Sequence, residues 1–248
     1  MAAARLLRAT STQLKRLALI EPRLLLALAA VAGGIWLFAA IADEVAENET
    51  HRVDRAILLA MRNPGNIEQP IGPPYVQMAA RDITALGDVV FLGFLTLVVG
   101  IFLILSARTR TALFIWAAVA SGAALSTALK ALFDRPRPEL FPHGTIAYQA
   151  SFPSGHAMLS AVTYLTLGAL LAKSQQRRRI KIFVLAVAIF VTVTVGLTRI
   201  YLGVHWPTDV LAGWTAGAVW ALVCWEVADW LERRRALPDS EGGPQLDS

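Results

Sequence analysis

The stretch Ile182–Thr198, IFVLAVAIFVTVTVGLT, runs for 17 residues without a charge, between Lys181 and Arg199. A membrane-spanning helix needs about 20 mostly apolar residues, within a range of about 17–25. Because a bilayer core offers no water to an open backbone, a run of this kind favours a helix. The stretch therefore predicts a transmembrane helix with a basic residue at each end.

Five more runs of the same kind occur in the chain, two of them short enough to need extension by about one turn. The six runs are Leu24–Ala42, Val89–Ala107, Thr111–Leu129, Ala157–Ala172, Ile182–Thr198 and Val210–Trp225. Charged residues make up only 17% of the 248 residues, against about 25% in a typical soluble domain. This composition excludes an ordinary soluble domain and a disordered chain. The expected fold class is all-α, a membrane bundle with six transmembrane helices.

The positions of Lys and Arg predict the orientation, since these residues are enriched in cytoplasmic loops. With the N-terminus inside, 15 of the 23 Lys and Arg residues fall in cytoplasmic segments. Both termini are therefore expected in the cytoplasm. The protein itself is expected in the inner (plasma) membrane. The net charge of +5 is then an orientation signal, and no nucleic-acid partner is expected.

The same runs divide the chain into a basic cytoplasmic segment, a membrane domain and a polar tail. The expected boundaries are 1–23, 24–231 and 232–248, with the tail disordered. Outer segments are expected at 43–88, 130–156 and 199–209. As an alternative for the N-terminus, Ala40-Ile41-Ala42 before Asp43 is similar to a signal-peptide cleavage site.

The long outer segment carries two predicted helices, near Val53–Met61 and near Tyr75–Leu86. The turn signal Asn63-Pro64-Gly65 separates them. These helices either lie on the membrane surface or belong to an ordinary loop with helical turns.

Ionisable residues mark the outer ends of four runs. Lys130 follows the third run, His156 precedes the fourth, Arg199 follows the fifth, and His205 and Asp209 precede the sixth. Such residues are often only anchors at the membrane surface, a fair interpretation of Lys130 alone. Two histidines, an aspartate and cations on one face favour a functional site.

The tetrapeptide Pro153-Ser154-Gly155-His156 is typical of a turn that opens a helix. Free N–H groups and the positive end of the helix dipole suit an anion at such a place. Gly155 lets the backbone approach a ligand closely, and Ser154 adds a hydroxyl donor. The alternative is a plain Ser N-cap without a ligand.

Asp209 lies four residues after His205, with Pro207 suited to the first helical position between them. The carboxylate can hold one imidazole nitrogen and leave the other free as nucleophile or base. The alternative is a neutral histidine at a helix start. Arg and Lys match the charge spread over a transferring phosphoryl group, and they can replace a metal as electrophiles.

The motifs together resemble the type-2 phosphatidic acid phosphatase superfamily, which includes the vanadium haloperoxidases. The family's K-x6-R-P is matched by Lys130 and Arg137-Pro138, and its P-S-G-H by Pro153–His156. Its S-R-x5-H-x3-D is matched from Thr198, which replaces Ser, through Asp209. By this spacing Arg135 is outside the motif, and its replacement by Ala is expected to reduce turnover much less than the replacement of Arg137 or Arg199.

The resemblance implies a role for each matched residue. His205 would attack phosphorus and form a phospho-histidine, oriented by Asp209, while His156 would protonate the leaving oxygen and then activate water. No metal and no other cofactor would be needed. The residues implied to hold the phosphoryl oxygens are Lys130, Arg137, Ser154, Gly155 and Arg199.

Six spans favour the membrane branch over the soluble haloperoxidases, with an active site that faces the periplasm or the outside. The implied substrate is a lipid phosphate or pyrophosphate in the bilayer: undecaprenyl pyrophosphate, phosphatidylglycerophosphate, phosphatidic acid or lipid A phosphate. A transporter or lipid-binding scaffold is the alternative from another class, and it predicts ionisable residues near mid-span. The residues leave the particular lipid and the oligomeric state open.

Overall fold

The computed structural model describes residues 22–138 and 150–235, which form eight helices and one short hairpin. In chain order the elements are α1 (Pro22–Ala46), α2 (His51–Ala60), β1 (Arg62–Asn63), β2 (Asn66–Pro70), α3 (Pro74–Ala85), α4 (Val89–Leu105), α5 (Thr109–Leu132), α6 (Gly155–Ser174), α7 (Arg178–Tyr201) and α8 (Pro207–Arg235). The N-terminal basic segment up to residue 21 and the end of the tail from residue 236 lie outside the described residues.

Five helices, α1 and α5 to α8, are long and apolar enough to cross a bilayer. Helices α3 and α4 make a sixth candidate span when taken together, with a bend of 49° between them. Large apolar side chains such as Trp36, Phe102 and Phe190 point outward and are exposed, as lipid-facing residues are. The predicted all-α membrane bundle is thus confirmed, and the two short runs extend by a turn or more in α6 and α8.

Helix α6 lies at the centre of the bundle. Ten of its 20 residues are buried, and it packs chiefly on α7 and α8, with further contacts to α4 and α5. The buried residues include Ser160, Thr163 and Thr166 beside three alanines and one glycine. Small side chains allow neighbouring helices to approach closely where no hydrophobic effect drives them together.

Two glycines of α8 bring its backbone against that of α6. A Cβ atom at Gly213 would lie 2.6 Å from the Ser154 carbonyl oxygen, and one at Gly217 would lie 2.4 Å from that of Met158. The starts of the two helices therefore meet, and the Ser154 N–H donates to the Asp209 carbonyl oxygen at 2.9 Å.

The outer segment contains the two predicted helices as α2 and α3, with a hairpin between them that the sequence did not predict. Arg62 pairs with Pro70 and Asn63 with Asn66 in antiparallel register. Strands of two and five residues are too short to show a period of two, so only the turn gave a signal.

Hydrogen bonds of Arg62 and Tyr201 fasten this segment to the end of α7. The buried Arg62 side chain donates from Nη2 to the Tyr201 carbonyl oxygen at 3.0 Å. The Tyr201 hydroxyl donates to the Ile71 carbonyl oxygen at 2.7 Å. The outer segment is therefore packed on the same end of the bundle as the ionisable residues.

Candidate active site

The chain brings the predicted site residues together at one end of the bundle. Helices α5 and α7 end there with Lys130 and Arg199, while α6 and α8 begin there with His156 and Asp209. His205 lies in the short connection before α8. The side chains that act electrostatically on the His156 imidazole are Arg199, His205, Lys130 and Arg137.

His205 and Asp209 form a buried pair. The imidazole Nδ1 lies 3.4 Å from Asp209 Oδ2, and both side chains are almost fully shielded from solvent. With the carboxylate accepting at Nδ1, the imidazole proton belongs on Nδ1, and Nε2 presents a lone pair. Burial lowers the pKa of His205 to about 4 and outweighs the raising effect of Asp209, while Arg199 and Arg137 make smaller lowering contributions. The imidazole is therefore neutral at pH 7, as a nucleophile must be.

Asp209 accepts from several donors besides His205. Its Oδ2 accepts from the Trp206 N–H at 2.9 Å and from the Ser151 hydroxyl in a short hydrogen bond. Its Oδ1 accepts from Arg135 Nη1 at 2.6 Å. A carboxylate with this many donors is held in its ionised form.

The start of α6 forms a cradle for an anion. The Ser154 hydroxyl is buried, makes no capping bond, and has no hydrogen-bond partner within the part of the chain that the structure describes. A Cβ atom at Gly155 would lie 3.5 Å from Lys130 Nζ, so the ammonium group sits directly beside the open helix start. A buried hydroxyl without a partner is uncommon, and here it favours a ligand over the plain N-cap.

Two arginines complete the cradle. Arg137 Nη1 donates to the Val204 carbonyl oxygen at 3.0 Å and lies 3.4 Å from His205 Nε2. Arg199 Nη1 donates to the Thr84 hydroxyl at 3.2 Å, and its buried Nε has no partner among the described residues. A phosphoryl group at Nε2 of His205 would therefore meet guanidinium donors at once.

A second carboxylate lies beside the other histidine. Asp88 Oδ2 is 3.9 Å from His156 Nε2, while Asp88 Oδ1 accepts from the Val90 N–H at 2.8 Å and caps α4. In the sequence, Asp88 stands out only as the boundary of an apolar run. Its position before a helix signalled a cap, but nothing in the sequence signalled its approach to His156.

The structure places Arg135 in contact with the predicted site, and the smaller effect expected of its replacement stays a prediction. Spacing alone placed it outside the first motif, whereas its guanidinium is directly bonded to Asp209 and is 11% exposed. Ser151 was also missed, although it stands three residues before Ser154 in the same stretch. Residues 139–149 of the predicted outer segment 130–156 lie outside the described residues.

A helical membrane bundle with a buried His–Asp pair beside a cationic cradle defines a membrane hydrolase for phosphoryl groups. The chain belongs to the PAP2 superfamily, whose family model matches residues 111–233. It is 31% identical over 154 residues to phosphatidylglycerophosphatase B of Bacillus subtilis (strain 168), covering 59% of this chain and 72% of that protein. Over 68 residues it is 38% identical to an undecaprenyl-diphosphatase of Sulfolobus acidocaldarius, covering 27% of this chain and 29% of that one.

Solved structures resemble the fold as well. The crystal structure of a transmembrane PAP2-type phosphatidylglycerolphosphate phosphatase from Bacillus subtilis superposes with a TM-score of 0.74 at 27% identity. The match covers 82% of this chain and 98% of that one. Aquifex aeolicus LpxE has a TM-score of 0.50 at 23% identity, over 63% of this chain and 88% of that one, and shows the fold alone.

These similarities confirm the predicted family and class: the protein is a multi-pass membrane lipid phosphatase, and hence a hydrolase. The relatives are named as phosphatases, which favours the enzyme over the transporter or scaffold alternative.

The lowered pKa of His205 predicts how the first chemical step depends on pH. Because the pKa is below its usual value of about 6.5, the neutral form persists to lower pH than usual. Formation of the covalent intermediate from 4-nitrophenyl phosphate should change little between pH 7 and pH 6, whereas an ordinary histidine would lose about threefold. Rapid-quench kinetics measures the rate of this step at each pH, and phosphorus NMR of the substrate supplies the correction for its own ionisation. A threefold fall in the corrected rate would contradict a neutral, buried His205.

Proposed function

We propose that the protein hydrolyses a lipid phosphate or pyrophosphate through a phospho-histidine on His205. The reaction takes place at the face of the inner (plasma) membrane that is turned toward the periplasm or the outside. The buried imidazole carries this proposal, because its Nδ1 faces Asp209 and its Nε2 lies 3.4 Å from Arg137. Phosphatidylglycerophosphate and undecaprenyl pyrophosphate are the preferred candidates, because the named relatives act on these lipids. Phosphatidic acid and lipid A phosphate follow.

In the first step, His205 Nε2 attacks phosphorus and the bond from phosphorus to the leaving oxygen breaks. His156 donates a proton to that oxygen, so the lipid leaves as an alcohol, or as a monophosphate when a pyrophosphate is cleaved. The bound phosphoryl group and Asp88 supply the negative charge that supports a protonated His156. Asp209 offsets the positive charge that develops on the His205 ring.

In the second step, water replaces the histidine. Neutral His156 takes a proton from water, the water oxygen attacks phosphorus, and the phosphorus–nitrogen bond breaks to release phosphate. The charge on the phosphoryl oxygens is matched throughout by donors of the cradle, so we propose that hydrolysis needs no metal. The donors are Lys130, Arg137, Arg199, the Ser154 hydroxyl and the Gly155 N–H.

An apolar cleft below the site supports a lipid substrate. It has a volume of about 380 Å³ and lies between α4, α5 and α6, with Gly93, Trp116 and Ala120 among its lining residues. Its lining residues also include Val89, next to Asp88, and Leu159, three residues after His156. We propose that the lipid tail occupies this cleft in the bilayer while the head group reaches the histidines.

Trapping the intermediate tests the division of labour between the histidines. A nitrophenolate leaves without a proton, so His156→Ala should still form phospho-histidine from 4-nitrophenyl phosphate, and should accumulate it because water is not activated. His205→Ala has no attacking nitrogen and should form none. Asp209→Asn should lie between, since a wrong tautomer costs about 10⁴ in a comparable His–Asp pair. An alkaline denaturing quench and peptide mass spectrometry locate the phosphate.

Two outcomes would reverse these assignments: phosphate on His156, or an intermediate that survives in His205→Ala. The same experiment carried out in EDTA tests the metal-independent proposal. Wild-type protein should label equally with and without the chelator, whereas loss of labelling in EDTA would contradict a cradle made of Lys and Arg.

The cleft predicts a variant that separates lipid from soluble substrates. A Cβ atom at Gly93 meets no atom within 4 Å, so Gly93→Phe can fill the cleft without disturbing the backbone. The variant should raise KM for phosphatidylglycerophosphate about tenfold and leave that for 4-nitrophenyl phosphate within about twofold. Gly33→Phe on α1, which also meets open space, is the matched control. Equal effects on both substrates would argue against the tail in this cleft.

Reporter fusions test the proposed orientation, with both termini in the cytoplasm and the site toward the periplasm or outside. Fusions after Ala172 and after Tyr148 should report opposite sides of the inner membrane, because they flank α6. Tyr148 lies outside the described residues, but its place in the sequence is before that span. Matching signals would contradict the six-span topology, and reversed signals would place the site in the cytoplasm.

A further inference from the structure

The outer segment buries one carboxylate against the start of α8. Asp54 of α2 is fully shielded from solvent. Its Oδ1 accepts from the Thr208 N–H at 3.0 Å, and its Oδ2 accepts from the Thr208 hydroxyl at 2.6 Å. A carboxylate removed from water is tolerated only when charges and donors replace the water, and here they come from the residue next to Asp209.

Arg135 joins this carboxylate to Asp209. Its Nη2 donates to Asp54 Oδ2 at 2.8 Å, and its Nη1 donates to Asp209 Oδ1 at 2.6 Å. The same guanidinium donates to the hydroxyls of Thr50 and Thr208 and lies 5.5 Å from the centre of the Trp206 ring. The planar fork of an arginine can serve two carboxylates at once, and the ammonium group of a lysine cannot do so in this geometry.

The bridge acts on the oxygen of Asp209 that His205 does not use. Since Oδ1 is held by Arg135, the carboxylate plane is fixed and Oδ2 stays directed at His205 Nδ1. The positive charge of Arg135 is in turn balanced by Asp54, so the three side chains together keep one negative charge. That charge is available to the imidazole when attack on phosphorus makes it cationic.

We propose that Asp54 and Arg135 are positioning residues that orient Asp209 and maintain its charge toward His205. This inference rests on the proposed role of His205 as the nucleophile. It also gives the outer segment a part in catalysis, because Asp54 reaches the site from α2, 81 residues before Arg135. Neither side chain belongs to the proposed cradle, whose donors are Lys130, Arg137, Arg199, Ser154 and Gly155.

The test separates turnover from binding. Arg135→Met and Asp54→Asn should each lower kcat for 4-nitrophenyl phosphate by about 10–100-fold, as loss of a group that orients another residue typically does. KM should stay within about twofold, because the cradle is unchanged. Arg135→Lys should restore little of the lost activity, since it serves one carboxylate only. The exposed pair on α3 provides matched controls, Arg81→Met and Asp82→Asn, which should behave as wild type.

The double variant tests the coupling between the two residues. If Asp54 acts through Arg135, the double variant should be no slower than Arg135→Met alone, because the effects of coupled residues are not additive. Each kcat is calculated from the concentration of protein that elutes as a monodisperse peak in size-exclusion chromatography. A loss of folded protein is then not counted as a loss of turnover. Should Arg135→Met fail to fold, Arg135→Lys and Asp54→Asn carry the test, with the same expected fall in kcat.

Several results would overturn the inference. They are an unchanged kcat in the folded Asp54→Asn protein, an effect confined to KM, or additive losses in the double variant. If the wild type forms phospho-histidine on His205 but the Asp54 and Arg135 variants keep the kcat of the wild type, only this inference is overturned and the proposed function stands. A wild type that carries no phosphate on His205 would overturn the proposed function and this inference with it.

Discussion

The ionised carboxylate of Asp209 is fully buried at the first turn of α8, and this burial constrains the structure around it. Removing such a charge from water costs of the order of several kcal/mol unless other donors replace the water. The donors come from three places: the segment after α5, the segment before α6, and the turn into α8. The segment that follows α5 and the segment that precedes α6 must therefore both contact the start of α8. This requirement determines the arrangement of the site.

The packing of the bundle also brings the parts of the site together. Gly213 and Gly217 let α8 touch the backbone of α6, a kind of contact that suits helices packed in lipid. This contact sets the N-termini of α6 and α8 side by side, so their positive dipole ends face one region. A bulky residue in place of either glycine would separate the two helices, and with them Ser154 from Asp209. Stability in the bilayer and geometry for an anion thus depend on the same small residues.

The parts of this arrangement that are local in sequence could be predicted. Uncharged runs indicate spans because the bilayer imposes their length and composition, and His205 with Asp209 follows from helical spacing. The connection through Arg135 could not be predicted, because its two carboxylates lie 81 and 74 residues away in the chain. Motif spacing favoured Arg137 and left Arg135 without a function. The hairpin and the 49° bend between α3 and α4 depend on tertiary contacts that no periodicity records.

Groups of opposite charge lie on the two sides of the His205 imidazole ring. On the Nε2 side lie the guanidinium of Arg137 and the rest of the cradle, which attract the anion. On the Nδ1 side lies Asp209, which supports the ring when it becomes cationic. A cation on that second side would oppose this support unless its charge were balanced, and Asp54 balances Arg135 there. Two arginines that are two residues apart in the chain therefore serve opposite sides of the same ring, Arg135 through Asp209 and Arg137 beside Nε2.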